Sequence, residues 1–147
     1  MSKMTNDEIR DFLLKGTYTG KLGTINKDGT PHVVPISIWY TVDEQNNIIF
    51  NTGGESVKAK NIRRDNRVRL CVDDQTPLFS FVIIDGIAQI ERNESSENYK
   101  WAKIIAARYM GDDRSEAYGR RNSGEGEVLI KIKPIRTTGQ IDMLNGN

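Results

Sequence analysis

Apolar residues Ile9, Phe12 and Leu13 recur at helical intervals behind Thr5 and Glu8, whose spacing is that of a capping box, so residues 5–15 are expected to form a short amphipathic helix. Gly16 is placed to end it. Beyond Gly16 the period shortens. Two extended runs, 17–25 and 32–40, flank Asn26-Lys27-Asp28-Gly29, and an Asp-Gly between such runs signals a hairpin. A polar turn at 43–47 leads to a third strand over 48–52. Gly53-Gly54 breaks that strand, and Ser56 stands where it can cap a helix over 57–65. Further strands are expected over 67–73 and 79–90, the second interrupted by Asp85-Gly86, which marks a bulge or a close backbone approach. Ser95 or Ser96 opens a helix to about Met110, with Trp101, Ile104, Ile105 and Tyr109 on its apolar side. The polar stretch 111–126 reads as a long loop, functional or mobile, and a last strand follows over 128–135.

Most of these strands lead directly to another strand, and few helices intervene. That order predicts a mostly β fold, an antiparallel barrel with peripheral helices, as one domain over residues 1–147. Composition narrows the function. A hydrophobic fraction of 37% with 28% charged residues is that of a globular chain rather than a disordered one. A net charge of +1 gives no general field for nucleic acid or an anionic membrane. No run approaches the roughly 20 apolar residues of a membrane span, and the first residues lack a signal peptide's apolar core, so a cytoplasmic protein is expected. The lone cysteine, Cys71, sits in an apolar run and is expected to be a small core residue.

The chain lacks the usual catalytic sets. There is no glycine-rich nucleotide fingerprint, one histidine (His32) and one cysteine, which leaves no ordinary zinc site, Cys–His pair or serine triad. An enzyme so equipped would rely on a bound cofactor for the hard step, and no catalytic residue is assigned. The informative stretch is 52–65, where a Gly-Gly turn opens onto a helix N-terminus that favours an anion. Lys58 and Asn61, three apart, are expected to share one side of that helix and reach a phosphate, while Ala59 and Ile62 face the core. Lys60, Arg63, Arg64 and Arg67 repeat as a basic stripe, either a solvated face or a site for a second acidic group. In the run 32–40, Pro35 cannot donate to a ladder and so marks an edge, where a flat heterocycle can meet free backbone groups. His32, beside Pro31, is given a structural role.

The runs Gly23–Pro35 and Ser56–Asp65, then Val72-Asp73-Asp74, Tyr118–Asn122 and Gly126–Ile130, resemble the pyridoxamine 5'-phosphate oxidase-like superfamily, and within it the branch of deazaflavin-dependent reductases that use coenzyme F-420. The resemblance spans roughly residues 10–135. It implies a six-stranded split β-barrel, a homodimer and cofactor clefts at the interface. It puts the cofactor phosphate near Lys58, Lys60 and Asn61, with Thr52 and Ser56 close by. It lays the ring along Val34, Pro35, Ile36 and Ser37, with Phe79 as a lid. On an ideal helix Lys60 lies about 160° from Lys58, so Lys60 is assigned to the acidic tail of the cofactor.

FMN is the rival cofactor, a shorter ligand with one terminal phosphate, whereas coenzyme F-420 has a phosphodiester and a polyglutamate tail. The extra basic residues Arg63, Arg64, Arg120 and Arg121 favour the longer anion. The expected activity is hydride transfer from reduced coenzyme F-420 to a small, electron-poor acceptor such as an enone, quinone or tetrapyrrole. The alternatives are an FMN-dependent oxidoreductase, or a protein that binds flavin or deazaflavin without turnover.

Overall fold

Burial alternates along the strands at 21–25, 67–73 and 81–88, and this sets the architecture. In the computed structural model, which describes residues 3–35, 38–91, 95–142 and 144, strand β5 (Arg67–Asp73) buries Val68, Leu70 and Val72, and β6 (Phe81–Glu91) buries Val82, Ile84, Gly86 and Ala88. Apart from Gly86, which has no side chain, these residues point into one core with Leu22 of β1 (Lys21–Ile25), Ile48 and Phe50 of β4 (Ile48–Gly53), and Ile130 and Ile132 of β7 (Glu127–Gln140). Each fully buried aliphatic or aromatic side chain contributes about 1.5–3 kcal/mol.

Two short strands, β2 (Pro31–His32) and β3 (Thr41–Val42), complete an antiparallel sheet in the order β2-β1-β5-β6-β7-β4-β3. Among the described residues the strands number seven rather than the expected six, because 32–40 is not paired as one strand. It pairs at Pro31 and His32, leaves the ladder, and returns as an isolated bridge between Ile38 and Gly20. That bridge, with both backbone hydrogen bonds at 3.0 Å, joins the β1 side of the sheet to the chain just before β3 and curls the sheet into a split barrel. β6 begins at Phe81, two residues later than expected.

The bulge falls where Asp85-Gly86 predicts it. Asp85 pairs with Arg136 and Gly86 with Pro134, so Ile135 is the extra residue and is pushed outward. Pro134 is tolerated there, and β7 continues past 135 to Gln140. A Cβ on Gly86 would lie 2.8 Å from the Lys133 carbonyl oxygen, so the approach is closed to any side chain.

Helix α1 (Asn6–Leu14) forms behind the predicted capping box: the Thr5 N–H donates to Glu8 Oε1 at 2.9 Å and the Glu8 N–H to Thr5 Oγ1 at 3.2 Å. Helix α2 (Val57–Arg64) is capped by Ser56, whose Oγ accepts from the Ala59 N–H at 3.2 Å. Helix α3 (Ser95–Met110) lies against β4 through Ala102, Ile105 and Ala106. The stretch 111–126 is not a long loop. Residues Asp112–Asn122 form helix α4, packed on α3 through Ser115 and Gly119. A Cβ at Gly119 would stand 3.0 Å from the Lys103 Cα, so the two helices meet backbone to backbone. Arg120 and Arg121 therefore sit on the last turn of a helix. No helix among the described residues is long and apolar enough to cross a membrane.

Candidate functional site

The turn Gly53-Gly54 is fastened to the start of β7. Gly53 pairs with Glu127, and the Gly54 N–H donates to the Gly126 carbonyl at 2.7 Å. The chain then enters α2, with Thr52 Oγ1 and Ser56 Oγ 3.4 Å apart. Lys58 follows in the first helical turn, partly buried and without an ion pair within 4 Å among the described residues. Burial lowers its pKa, and the nearby Glu127 carboxylate opposes that shift. The Glu127 pKa is raised by burial, against the pull of Arg121 and Lys58. In both groups desolvation outweighs the mutual attraction. Thr52 and Ser56 thus meet at the start of the helix that carries Lys58, and Glu127, unforeseen, opens β7 opposite Gly53 at the same turn.

Asn61 is placed differently. It is 3% exposed, and its Nδ2 donates to Thr24 Oγ1 at 3.0 Å and to Asn26 Oδ1 at 3.1 Å. Its Oδ1 accepts from both terminal nitrogens of Arg64, at 3.1 and 2.6 Å. Two donors and two lone pairs are all in use, so Asn61 ties α2 to the β1–β2 hairpin. It does not share a free face with Lys58. Beside it, a cleft of about 530 Å³ is lined by Lys27, Val57, Lys60 and Arg64, and Lys60 stands 3.7 Å from Glu55. The basic stripe is likewise engaged within the chain: Arg63 donates to the Gly54 carbonyl at 2.5 Å, and Arg67 pairs with Asp65 at 2.7 Å. Arg120 pairs with Glu116 at 3.1 Å, and Arg121 lies over the Tyr118 ring at 5.9 Å.

Of the expected ring segment, Val34 and Pro35 are exposed beyond β2, and Ile36 and Ser37 lie outside the described residues. Phe79, with φ of 60°, is in the β5–β6 connection. Phe81 pairs with Gln140 while Glu91 pairs with Leu129, so Phe79 lies at the other end of a ladder of ten steps, about 30 Å from the Glu127 end. One chain alone does not bring Phe79 to Lys58. His32 keeps to the start of β2, opposite Thr24, and its Nδ1 is buried with no partner among the described residues.

Cys71 is not a core residue. It points to the outer face of the sheet, partly buried, and burial raises its thiol pKa. With Gly23, Ile25, Val33, Ile87 and Ile135 it lines an apolar cleft of about 640 Å³. Val33 is 60% exposed and Ile135 68%. The alternation of 67–73 carries the signal for this outer face, since placing Leu70 inside forces Cys71 out.

The profile of a family described as pyridoxamine 5'-phosphate oxidase matches residues 5–139. The chain belongs to the pyridoxamine 5'-phosphate oxidase family. This family member also resembles a curated 5a,11a-dehydrotetracycline/5a,11a-dehydrooxytetracycline reductase of Streptomyces rimosus, with 36% identity over 83 residues. That match covers 52% of this chain and 57% of the relative, so the chain spans little more than half the relative's length. Among solved structures, a conserved hypothetical protein of Mycobacterium tuberculosis superposes with a TM-score of 0.77 at 28% identity, over 98% of this chain and 93% of that one. A structure named as an F-420 reductase superposes with a TM-score of 0.67 at 22% identity, over 86% of this chain and 94% of that one, a likeness of fold. The chain is related to oxidoreductases.

Proposed function

We propose that this family member is a cytoplasmic homodimeric oxidoreductase that uses coenzyme F-420 to reduce a small, electron-poor organic acceptor. The observation that carries the reading is Lys58, a partly desolvated ammonium with no ion pair within 4 Å among the described residues, set in the first turn of α2, the helix that Thr52 and Ser56 lead into. A cation so placed suits a phosphate supplied from outside the chain. Thr52, Ser56 and Lys58 would hold that group, and Lys60 with the rim of the hairpin cleft would meet an acidic tail. Asn61 would act there by holding the hairpin in place. Val34 and Pro35, exposed beyond β2, would lie along the ring. When bound there, coenzyme F-420 in its reduced form would supply the hydride. The chain's own part is to bind, to orient the two reactants and to exclude water, which is consistent with its lack of a catalytic triad.

The homodimer rests on the apolar outer cleft, whose occupant we take to be a second copy of this chain. Phe79 would then reach a cofactor across the interface, since within one chain it stands far from Lys58. The likeness to a dehydrotetracycline reductase supports an acceptor with an activated double bond.

Visible titration tests the cofactor. Apoprotein is titrated with coenzyme F-420 of long and short glutamate tails and with FMN, at 0.1 M and 1 M salt, followed by turnover of the reduced cofactor with enone and quinone acceptors. F-420 should bind more tightly, and the longer tail should add about tenfold at low salt. That increment should fade as the Debye length falls from about 10 Å to 3 Å. Tighter FMN binding throughout, or no effect of tail length, overturns the F-420 assignment and leaves the fold untouched. Binding without turnover would make the protein a carrier.

A further inference from the structure

His32 carries a polar atom that nothing among the described residues serves: its Nδ1 is buried and has no hydrogen-bond partner there. Leaving such an atom unsatisfied is costly, so it calls for a group from outside the chain. The ladder fixes where the imidazole stands. His32 pairs with Thr24 across the β1–β2 hairpin, and directly paired residues point to one face with Cβ atoms about 4.5–5.5 Å apart. Thr24 is 2% exposed, and its Oγ1 accepts from Asn61 Nδ2 at 3.0 Å. On α2, Asn61 follows Lys58 at the spacing that puts Cβ atoms about 5–6 Å apart.

Lys58, Asn61, Thr24 and His32 thus form a short polar row that joins the first turn of α2 to the hairpin. Its middle is closed, because the Asn61 amide is fully used by Thr24, Asn26 and Arg64. Its two ends are open. Lys58 has no ion pair within 4 Å among the described residues, and His32 Nδ1 has no partner. β2 is the outermost strand of the sheet, and beyond His32 the chain passes into exposed Val33 and Val34. A ligand with its phosphate on Lys58 and its ring along Val34 and Pro35 therefore brings the link between the two past His32.

We propose that His32 Nδ1 hydrogen-bonds a hydroxyl of the sugar-alcohol chain that joins phosphate to ring. This rests on reading Lys58 as the cation that holds the phosphate, and it applies to either candidate cofactor, because coenzyme F-420 and FMN share a ribityl chain. A hydroxyl both donates and accepts, so it satisfies Nδ1 whichever ring nitrogen carries the proton. A carbonyl or ionised phosphate oxygen can only accept. His32 then has a binding role in addition to its place in the hairpin, and it fixes the chain between the two ends of the ligand.

The test compares two flavins with the same ring and phosphate, FMN and an analogue whose ribityl chain is replaced by an unsubstituted pentyl chain. In visible titration the wild-type protein should bind FMN about tenfold or more tighter than the analogue. His32→Leu should bring the two affinities close together. His32→Asn, whose amide can stand near the Nδ1 position, should recover part of the preference and serves if the leucine variant folds poorly. His32 is the chain's one histidine, so isotope labelling of histidine gives an NMR readout with a single set of ring signals. The Nδ1 resonance should move on saturation with FMN or coenzyme F-420, and less with the pentyl analogue. Equal affinities in the wild type, the result if a water already serves Nδ1, would overturn the proposal. So would a preference that His32→Leu keeps in full, or an Nδ1 resonance that coenzyme F-420 leaves in place. Lys58→Ala reports on the reading beneath it. Unchanged affinity for both cofactors in that variant would remove the phosphate site, whereas weakened binding there with equal affinities for the two flavins in the wild type would remove only the role of His32.

Discussion

Along β5, Val68, Leu70 and Val72 are sealed into the core, while Arg67, Arg69 and Cys71, one residue out of step, face the other way. β6 and β7 repeat the contrast, with Ile84, Ala88 and Ile132 inside and Ile87 and Ile135 outside. The inner face is completed by this chain's own side chains. The outer face is also apolar at its centre, but it is rimmed by ion pairs, Lys21–Asp73 at 2.7 Å and Arg69–Asp85 at 2.5 Å. An apolar centre with a charged rim is the composition of a surface that meets a partner or ligand, whereas the inner face serves stability alone.

Truncation on the two faces should break this contrast in different ways. Leu70→Ala removes a side chain with no exposure and should cost about 2–5 kcal/mol in chemical denaturation, through lost burial and the cavity left behind. Cys71→Ala, one position along, should stay within about 0.5 kcal/mol for the monomer. If the two cost the same, the faces are not distinct.

Lys58→Ala addresses the site rather than the fold. It should weaken cofactor binding by about 1.5–3 kcal/mol in the visible titration, the range of a charge-assisted hydrogen bond, and barely move the thermal midpoint. Unchanged affinity for both F-420 and FMN would remove Lys58 from the site.

Ile135→Glu is the smallest expected change and the sharpest for the outer face. The residue is 68% exposed in one chain, so unfolding of the monomer should be almost unaffected. If a second copy covers this face, the buried charge should raise the dimer dissociation constant about tenfold or more, roughly 1.4 kcal/mol, as read by sedimentation or light scattering. A wild-type mass of one chain at micromolar concentration would contradict the homodimer.

What the sequence made readable follows from how local each signal is. The capping box at Thr5 and Glu8, the Ser56 cap, the hairpin turn and the bulge at Asp85-Gly86 are decided by a few adjacent residues, and all stand where they were expected. Helix α4 was missed because it carries no apolar stripe. Its buried contacts are Ser115 and Gly119, small residues four apart that let α3 come close, and periodicity of large apolar residues is blind to such a face. The small-residue spacing was the available signal. The engagement of Asn61 is hidden for a related reason. Helical spacing sets its direction, but the acceptors of its amide N–H groups lie 35 and 37 residues away on the hairpin. Glu127 could not be linked to Lys58 from sequence, since that requires the register of β4 against β7.

That register has a consequence for the nascent chain. β7 lies between β6 and β4, and Ile48 of β4 finds its partner in Ile132, 84 residues later. At a synthesis rate of about 5–20 residues per second, the edge of Ile48-Ile49-Phe50 that faces β7 emerges several seconds before β7 does, while the short β3 can pair only with the opposite edge. An apolar strand exposed for that long is a template for intermolecular pairing. A ribosome stall between 53 and 127 should therefore give aggregates rather than a stable half-barrel, and the demand on chaperones should fall sharply once β7 has been made.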